Sequence, residues 1–343
     1  MMMQTRNSRK PVAAAVTLLA AAFFAQGAQA ETWKFALEEV DGSVQDAYAE
    51  EFKKRIEERS NGEVTVQIYP YGTLGTSQDI AEMTGQGVLK LANASPGHLG
   101  SLIEEMNVFN IPYLLSQDNQ VNKDVLTDSQ CIYGKLEDEF HSKGLELLTM
   151  YPEGDMVWTT QKPVRSPSDL NGVKMRTMTS PLLVAAYEAF GADPTPMPYG
   201  EVYGGLQLGQ IDAQVNPIFA IEEMKFYEVT DYMIWAGQQQ FTTTVVGNRD
   251  WYAGLSDDRK QMLDEVVDSM ADYIFETQAQ YNEERLEAIK KAKPDMQMIE
   301  LSEEERQPFR EASMNVRDKF VEMTGDSGQE VLQCLAQEFG TAR

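Results

Sequence analysis

Few residues in this 343-residue chain have both the type and the placement for chemistry at a shared site: the acid pair Glu38-Glu39, Arg176, the Asn216-Pro217 step, and the rings of His98, Tyr199 and Phe219. Paired carboxylates can act as general acid and base, but among 54 Asp and Glu an adjacent pair is ordinarily a solvated face. Arg176 carries a planar fork of donors suited to holding a carboxylate in two places at once. Its competing reading is a salt bridge to one of the many acids. Asn-Pro is a turn signal before it is a ligand contact, and the three rings could floor a pocket or fill a core. Nucleophilic catalysis finds no usable G-x-S-x-G, no S-x-x-K with its partners and no Cys beside a His. Two histidines, with no H-E-x-x-H, C-x-x-C, EF-hand or Walker loop, leave no metal or nucleotide cofactor to expect.

The 29 Lys and Arg against those 54 acids give a formal charge of −25, which repels a phosphate backbone and argues against a nucleic-acid partner. Apolar residues at 42% and charged residues at 24% fit an ordinary globular protein. The start of the chain reads as an export signal. Arg6, Arg9 and Lys10 precede the apolar run Val12 to Phe24, and Ala28-Gln29-Ala30 is an A-x-A cleavage site. That run would span about 20 Å as a helix, short of the ~30 Å hydrocarbon core, so cleavage after Ala30 is expected and a membrane anchor is not. Cys131 and Cys334 then sit in an oxidising compartment where pairing is possible, although sequence cannot supply the separation a disulfide needs.

The elements that must position these residues alternate. Trp33, Phe35 and Leu37 have strand spacing, and Val44, Tyr48, Phe52 and Ile56 line one face of a helix that Ser60-Asn61-Gly62 ends. Val64, Val66 and Ile68 form the next strand. This strand, helix, strand unit predicts a parallel sheet. It recurs with a helix near Ser77 to Thr84 and a strand from Val88 to Ala94. Strands are expected at Leu145 to Met150, Met156 to Thr160 and Val173 to Met178, a helix from Pro181 to Phe190, and another helix after Gly200. The second half therefore repeats the alternation, predicting two α/β lobes. Ser256 caps a helical pattern to about Lys291, roughly 53 Å long, which must break or span both lobes. Further helices are expected from Ser302 and from Ser327. Glu38-Glu39 and Arg176 both fall at strand ends, where open α/β sheets bind ligands.

At these residues the chain resembles a known family. The segment Lys174 to Leu183, the segment Gly191 to Gln207, and Asp212-Ala213-Gln214-Val215-Asn216-Pro217 are similar to the periplasmic solute-binding subunit of TRAP transporters. Glu38 to Gly42, Tyr69 to Gly75, Ser95-Pro96-Gly97 and Tyr151 to Gly154 look closest to the ectoine-binding branch. The resemblance implies a type II-like periplasmic-binding-protein fold, with two lobes of mixed, mostly parallel sheet flanked by helices and a long helix across both. It divides the chain into an export signal (1–30), a first lobe (31–153 with about 242–281) and a second (154–241 with about 282–343). It implies that Arg176 clamps a ligand carboxylate, that Asn216 lines the pocket, that Glu39 meets the cationic part of the ligand, and that stacking aromatics fall near His98, Tyr199 and Ala220. Tyr199 stands where that branch has Trp, His98 where it has Phe, and Ala220 next to Phe219 where it has an aromatic; Trp158 is a candidate to restore part of that box.

The implied function is binding, not catalysis: capture in the periplasm of a small organic monocarboxylate or zwitterion by lobe closure, and delivery to the small and large membrane subunits of a permease. The alternatives are a ligand-sensing protein that signals to a membrane receptor, and a secreted hydrolase or lyase using Glu39 or His98 as base.

Overall fold

The computed structural model describes residues 30–342; apart from Ala30, the expected export signal lies outside the described residues. The strands in chain order are β1 Glu31–Ala36, β2 Val64–Tyr69, β3 Leu91–Ala94, β4 Leu145–Asp155, β5 Val157–Thr160, β6 Lys174–Thr177, β7 Asp193–Pro196, β8 Ala213–Asn216, β9 Tyr232–Trp235, β10 Gln240–Asn248 and β11 Gln297–Glu300. They form one sheet ordered β2-β1-β3-β10-β4 and a second ordered β11-β9-β5-β8-β6-β7.

Both sheets are mixed, and the antiparallel members have a common origin. β1 runs parallel to β2 and β3, and β6 parallel to β7 and β8. The antiparallel strands are β10, against β3 and β4, and β5, against β8 and β9. β5 follows β4 directly and β10 follows β9 after a short link, so these strands enter a new sheet without the helical crossover that parallel pairing needs. The first sheet is therefore less parallel than expected.

The expected helices form where caps and apolar spacing coincide. Ser43 caps Val44–Arg59, whose Val44, Tyr48, Phe52 and Ile56 are buried against Trp33 and Phe35. Thr76 and Asp79 make a reciprocal capping box at the start of Ser77–Gly85. The long pattern does not break: Asp257–Ala292 is one helix, with the Ser256 side chain accepting from the Arg259 N–H. Its Val266, Met270 and Ile274 share a core with Trp33 and Phe35 of the first lobe and with Phe219 and Phe226 of the second.

The last helical stretch, Glu303–Glu338, is interrupted at Gly325, whose φ of 65° lies in the left-handed region. Phe309, before the break, packs with Trp158 and Met175 of the second lobe, whereas Val331, Leu332 and Leu335 pack with Leu126 and Ile132 of the first. The expected boundary placed 282–343 in the second lobe; the packing changes before the break, since Val316 and Phe320 already share the core of Leu126 and Ile132. Cys334 is there bonded to Cys131, with Cα atoms 5.8 Å apart.

Candidate functional site

A narrow cleft, with free volume of only about 20 Å³ in this conformation, lies where the ends of both sheets meet. Glu38 and Glu39 enter it just after β1, and His98 from the short helix Pro96–Leu99 after β3. Arg176 on β6, Met178 beyond it, Tyr199 after β7, Asn216 at the end of β8, and Ala220 close it from the second lobe, with Phe241 of β10 between. Five of the seven expected site residues are thus brought together: Arg176, Asn216, Glu39, Tyr199 and His98.

Two are not. Trp158 is fully buried on β5, its ring edge-on to Tyr187 and Phe309, with Nε1 donating to the Tyr187 hydroxyl at 2.9 Å. Phe219 is fully buried in the core beneath the long helix, and its neighbour Ala220 faces the cleft instead. Helical rotation of about 100° per residue separates the two environments.

Arg176 is 1% exposed, and its Nε and Nη2 donate to the carbonyl oxygen of Met197. No carboxylate of the described residues pairs with it. Burial without an anion pushes its pKa down to about 10, so the cleft holds an uncompensated cation at neutral pH. The salt-bridge reading of Arg176 does not apply here.

The opposite wall is acidic. Glu39 is buried and accepts from the Gln45 N–H at 3.3 Å, and burial together with the charge of Glu153 raises its pKa well above the ordinary carboxylate range. Glu153 is fully buried at the end of β4, accepts from Gln45 Nε2 at 3.1 Å, and is pushed up to about 8 by burial first. Glu223 approaches this group from the second lobe, at the end of the helix Ile218–Glu223; it is pushed up to about 9 by burial and then by Glu39, with both carboxyl oxygens lacking partners. Glu38 is held differently: it accepts from the Ser95 N–H at 2.9 Å and faces His98 Nδ1 at 3.2 Å. Met178 and Glu153 fall within segments that carry the family resemblance, but neither they nor Phe241 and Glu223 were assigned to the site from sequence. Glu153 and Glu223 lie on β4 and on a short helix far apart in the chain, and no local pattern marks them as converging on Glu39.

A direct contact ties the lobes together across the mouth. The Gly200 N–H donates to the Tyr71 hydroxyl at 3.2 Å, and the Tyr71 ring meets Tyr199 edge-on at 5.7 Å.

The family profile described as bacterial extracellular solute-binding protein, family 7, matches residues 35–324. The chain belongs to this family. Among its relatives, the ectoine/5-hydroxyectoine-binding periplasmic protein UehA of Ruegeria pomeroyi is 47% identical over 322 residues, covering 94% of each chain. The ectoine-binding periplasmic protein TeaA of Halomonas elongata is 44% identical over 305 residues, 89% of each. The solved structure of the periplasmic ectoine-binding protein of the TeaABC TRAP transporter from Halomonas elongata superposes with a TM-score of 0.87 at 43% identity, covering 90% of this chain and 99% of that one. This family 7 protein is accordingly a two-lobed solute-binding protein of the TRAP type, and its relatives are binding proteins of transporters, not enzymes.

Proposed function

We propose that the protein captures a small zwitterion of the ectoine kind, with Arg176 and Asn216 on its carboxylate and Glu39 on its cationic part. The observation that carries this reading is the bipolar cleft: a buried guanidinium without a carboxylate partner on one lobe, and the buried carboxyls of Glu38, Glu39 and Glu153 on the other. A solute bearing both charges satisfies both walls, while a plain monoanion leaves the carboxyl wall without a cation to ionise against. The identity to UehA and TeaA supports the same class of ligand.

Lobe closure follows from differential binding. Arg176, Asn216 and Tyr199 belong to one lobe and Glu39 and His98 to the other, so a solute spanning them has higher affinity for the closed form and shifts the population toward it. In this reading the protein is exported by its signal, cleaved after Ala30, and hands its solute to the two membrane subunits of a permease.

The test is a thermal-shift panel of ectoine, 5-hydroxyectoine, uronates and hydroxy acids. A ligand at ~1,000 times its dissociation constant adds about 4 kcal/mol, worth several degrees. Ectoines are expected to shift the midpoint and simple monocarboxylates to leave it unmoved; the reverse order would contradict the proposal.

A further inference from the structure

We propose that His98 is a specificity-determining residue that reads a hydroxyl group on the solute, so that the protein prefers a hydroxylated cyclic zwitterion to its unhydroxylated counterpart. This rests on the reading of the cleft as a zwitterion site and adds a third recognition point to its two charged walls.

The imidazole is fixed by one nitrogen and left free at the other. Nδ1 is hydrogen-bonded with Ser95 Oγ at 3.1 Å and lies 3.2 Å from Glu38 Oε1, a buried oxygen with no hydrogen-bond partner. Glu38 is itself held by the Ser95 N–H through Oε2 and donates its own N–H to Gln45 Oε1 at 2.9 Å. With Nδ1 engaged by Ser95 and beside Glu38, Nε2 is the ring nitrogen left for a solute, and a hydroxyl, which both donates and accepts, can pair with it in either tautomer. Nε2 has no hydrogen-bond partner among the described residues, and the side chain lines the cleft at 12% exposure.

A second orphan faces the same small space. The Tyr199 hydroxyl is buried without a partner, on a ring whose body is packed between Tyr71 and Phe226. Two hydrogen-bonding groups in one cleft, neither satisfied by protein, are costly to leave unpaired once a solute displaces water. A carboxylate directed to Arg176 and a cation directed to Glu39 leave Nε2 unpaired. A ring hydroxyl suits both groups, because it can donate or accept at Nε2 and at Tyr199. Sites built to pair a hydroxyl discriminate against the analogue lacking it more strongly than apolar pockets discriminate by size.

Calorimetric titration of the mature protein with 5-hydroxyectoine and with ectoine, repeated on His98→Phe and His98→Gln, is the test. Wild type is expected to bind the hydroxylated solute ~10-fold or more tightly than the plain one. His98→Phe is expected to bring that ratio to about one, and His98→Gln, which keeps a polar tip, to retain part of it. A wild-type ratio near one, or a ratio unmoved in His98→Phe, overturns the role of His98 while leaving the zwitterion reading intact. Failure of both solutes to bind wild type overturns that reading and this inference with it.

Discussion

Arg176 donates through Nε and Nη2 to a single backbone oxygen, that of Met197, at 3.0 and 2.9 Å. This fixes the guanidinium plane with a neutral acceptor, while Nη1 has no partner among the described residues. Lysine offers a point charge and cannot hold the Met197 carbonyl and a ligand carboxylate in the same geometry. Arg176→Lys is expected to bind ectoine at least ~10-fold more weakly by calorimetry. Affinity within a few-fold of wild type would show that the fork is not needed.

The same burial predicts a stability effect of opposite sign. The folded pKa of Arg176, about 10, lies below its ordinary value of 12.5, so the unfolded chain holds this proton more tightly. The cost of the buried cation is fully present at neutral pH and is relieved only as pH rises through about 10. Replacing it with Met should raise the melting temperature of ligand-free protein at pH 7 while abolishing the ligand-induced shift. A lower ligand-free melting temperature would contradict this.

The acidic wall predicts how ligand-free stability varies with pH. Glu153 titrates near 8 and Glu223 near 9, both raised from 4.5, and Glu39 is raised with them. Groups with raised folded pKa values give stability that is fully present below the ordinary carboxylate range and is lost as pH rises through the folded values. Melting temperature should therefore fall between about pH 5 and 9, and Glu153→Gln should flatten that slope; a slope unchanged in the variant would count against the cluster.

The contact between lobes predicts a kinetic effect. Tyr71→Phe removes the acceptor for the Gly200 N–H but keeps the ring against Tyr199. Loss of one such hydrogen bond, about 0.5–1.5 kcal/mol, should speed ligand release ~2- to 10-fold in stopped-flow measurements. Unchanged release would mean that the bond does not hold the closed form.

The disulfide closes a loop with a sequence separation of 203 residues. Cys131→Ser with Cys334→Ser is expected to cost about 3–5 kcal/mol of stability, seen in denaturant unfolding. Neither Cys residue lines the cleft, and both pack with Leu126 and Ile132, so ectoine affinity should stay within about two-fold. A large loss of affinity would indicate coupling through the C-terminal helix.

Much of this site could be read from the chain because its parts are locally marked. Arg176 is a cation ending a strand in a chain poor in cations, and Glu39 follows the first strand directly. The rings were harder to place, because an aromatic residue does not declare which face of its element it occupies: Trp158 lies on the side of β5 that packs on Phe309, and Phe219 is turned from Ala220 into the core. β10 escaped notice because Gln240–Asn248 is buried nearly throughout and so lacks the alternation of a half-exposed strand. The rest of the acid cluster had no local signature, since Glu153 and Glu223 meet Glu39 only when the fold is assembled.

The central claim is that the buried guanidinium of Arg176 awaits the carboxylate of a zwitterion. Titrating ectoine into wild type and Arg176→Ala by calorimetry tests it most directly. Removing one partner of a buried pair costs about 3–5 kcal/mol, so affinity should fall at least ~10²-fold in the variant. Equal affinity of the two proteins for ectoine would contradict the account.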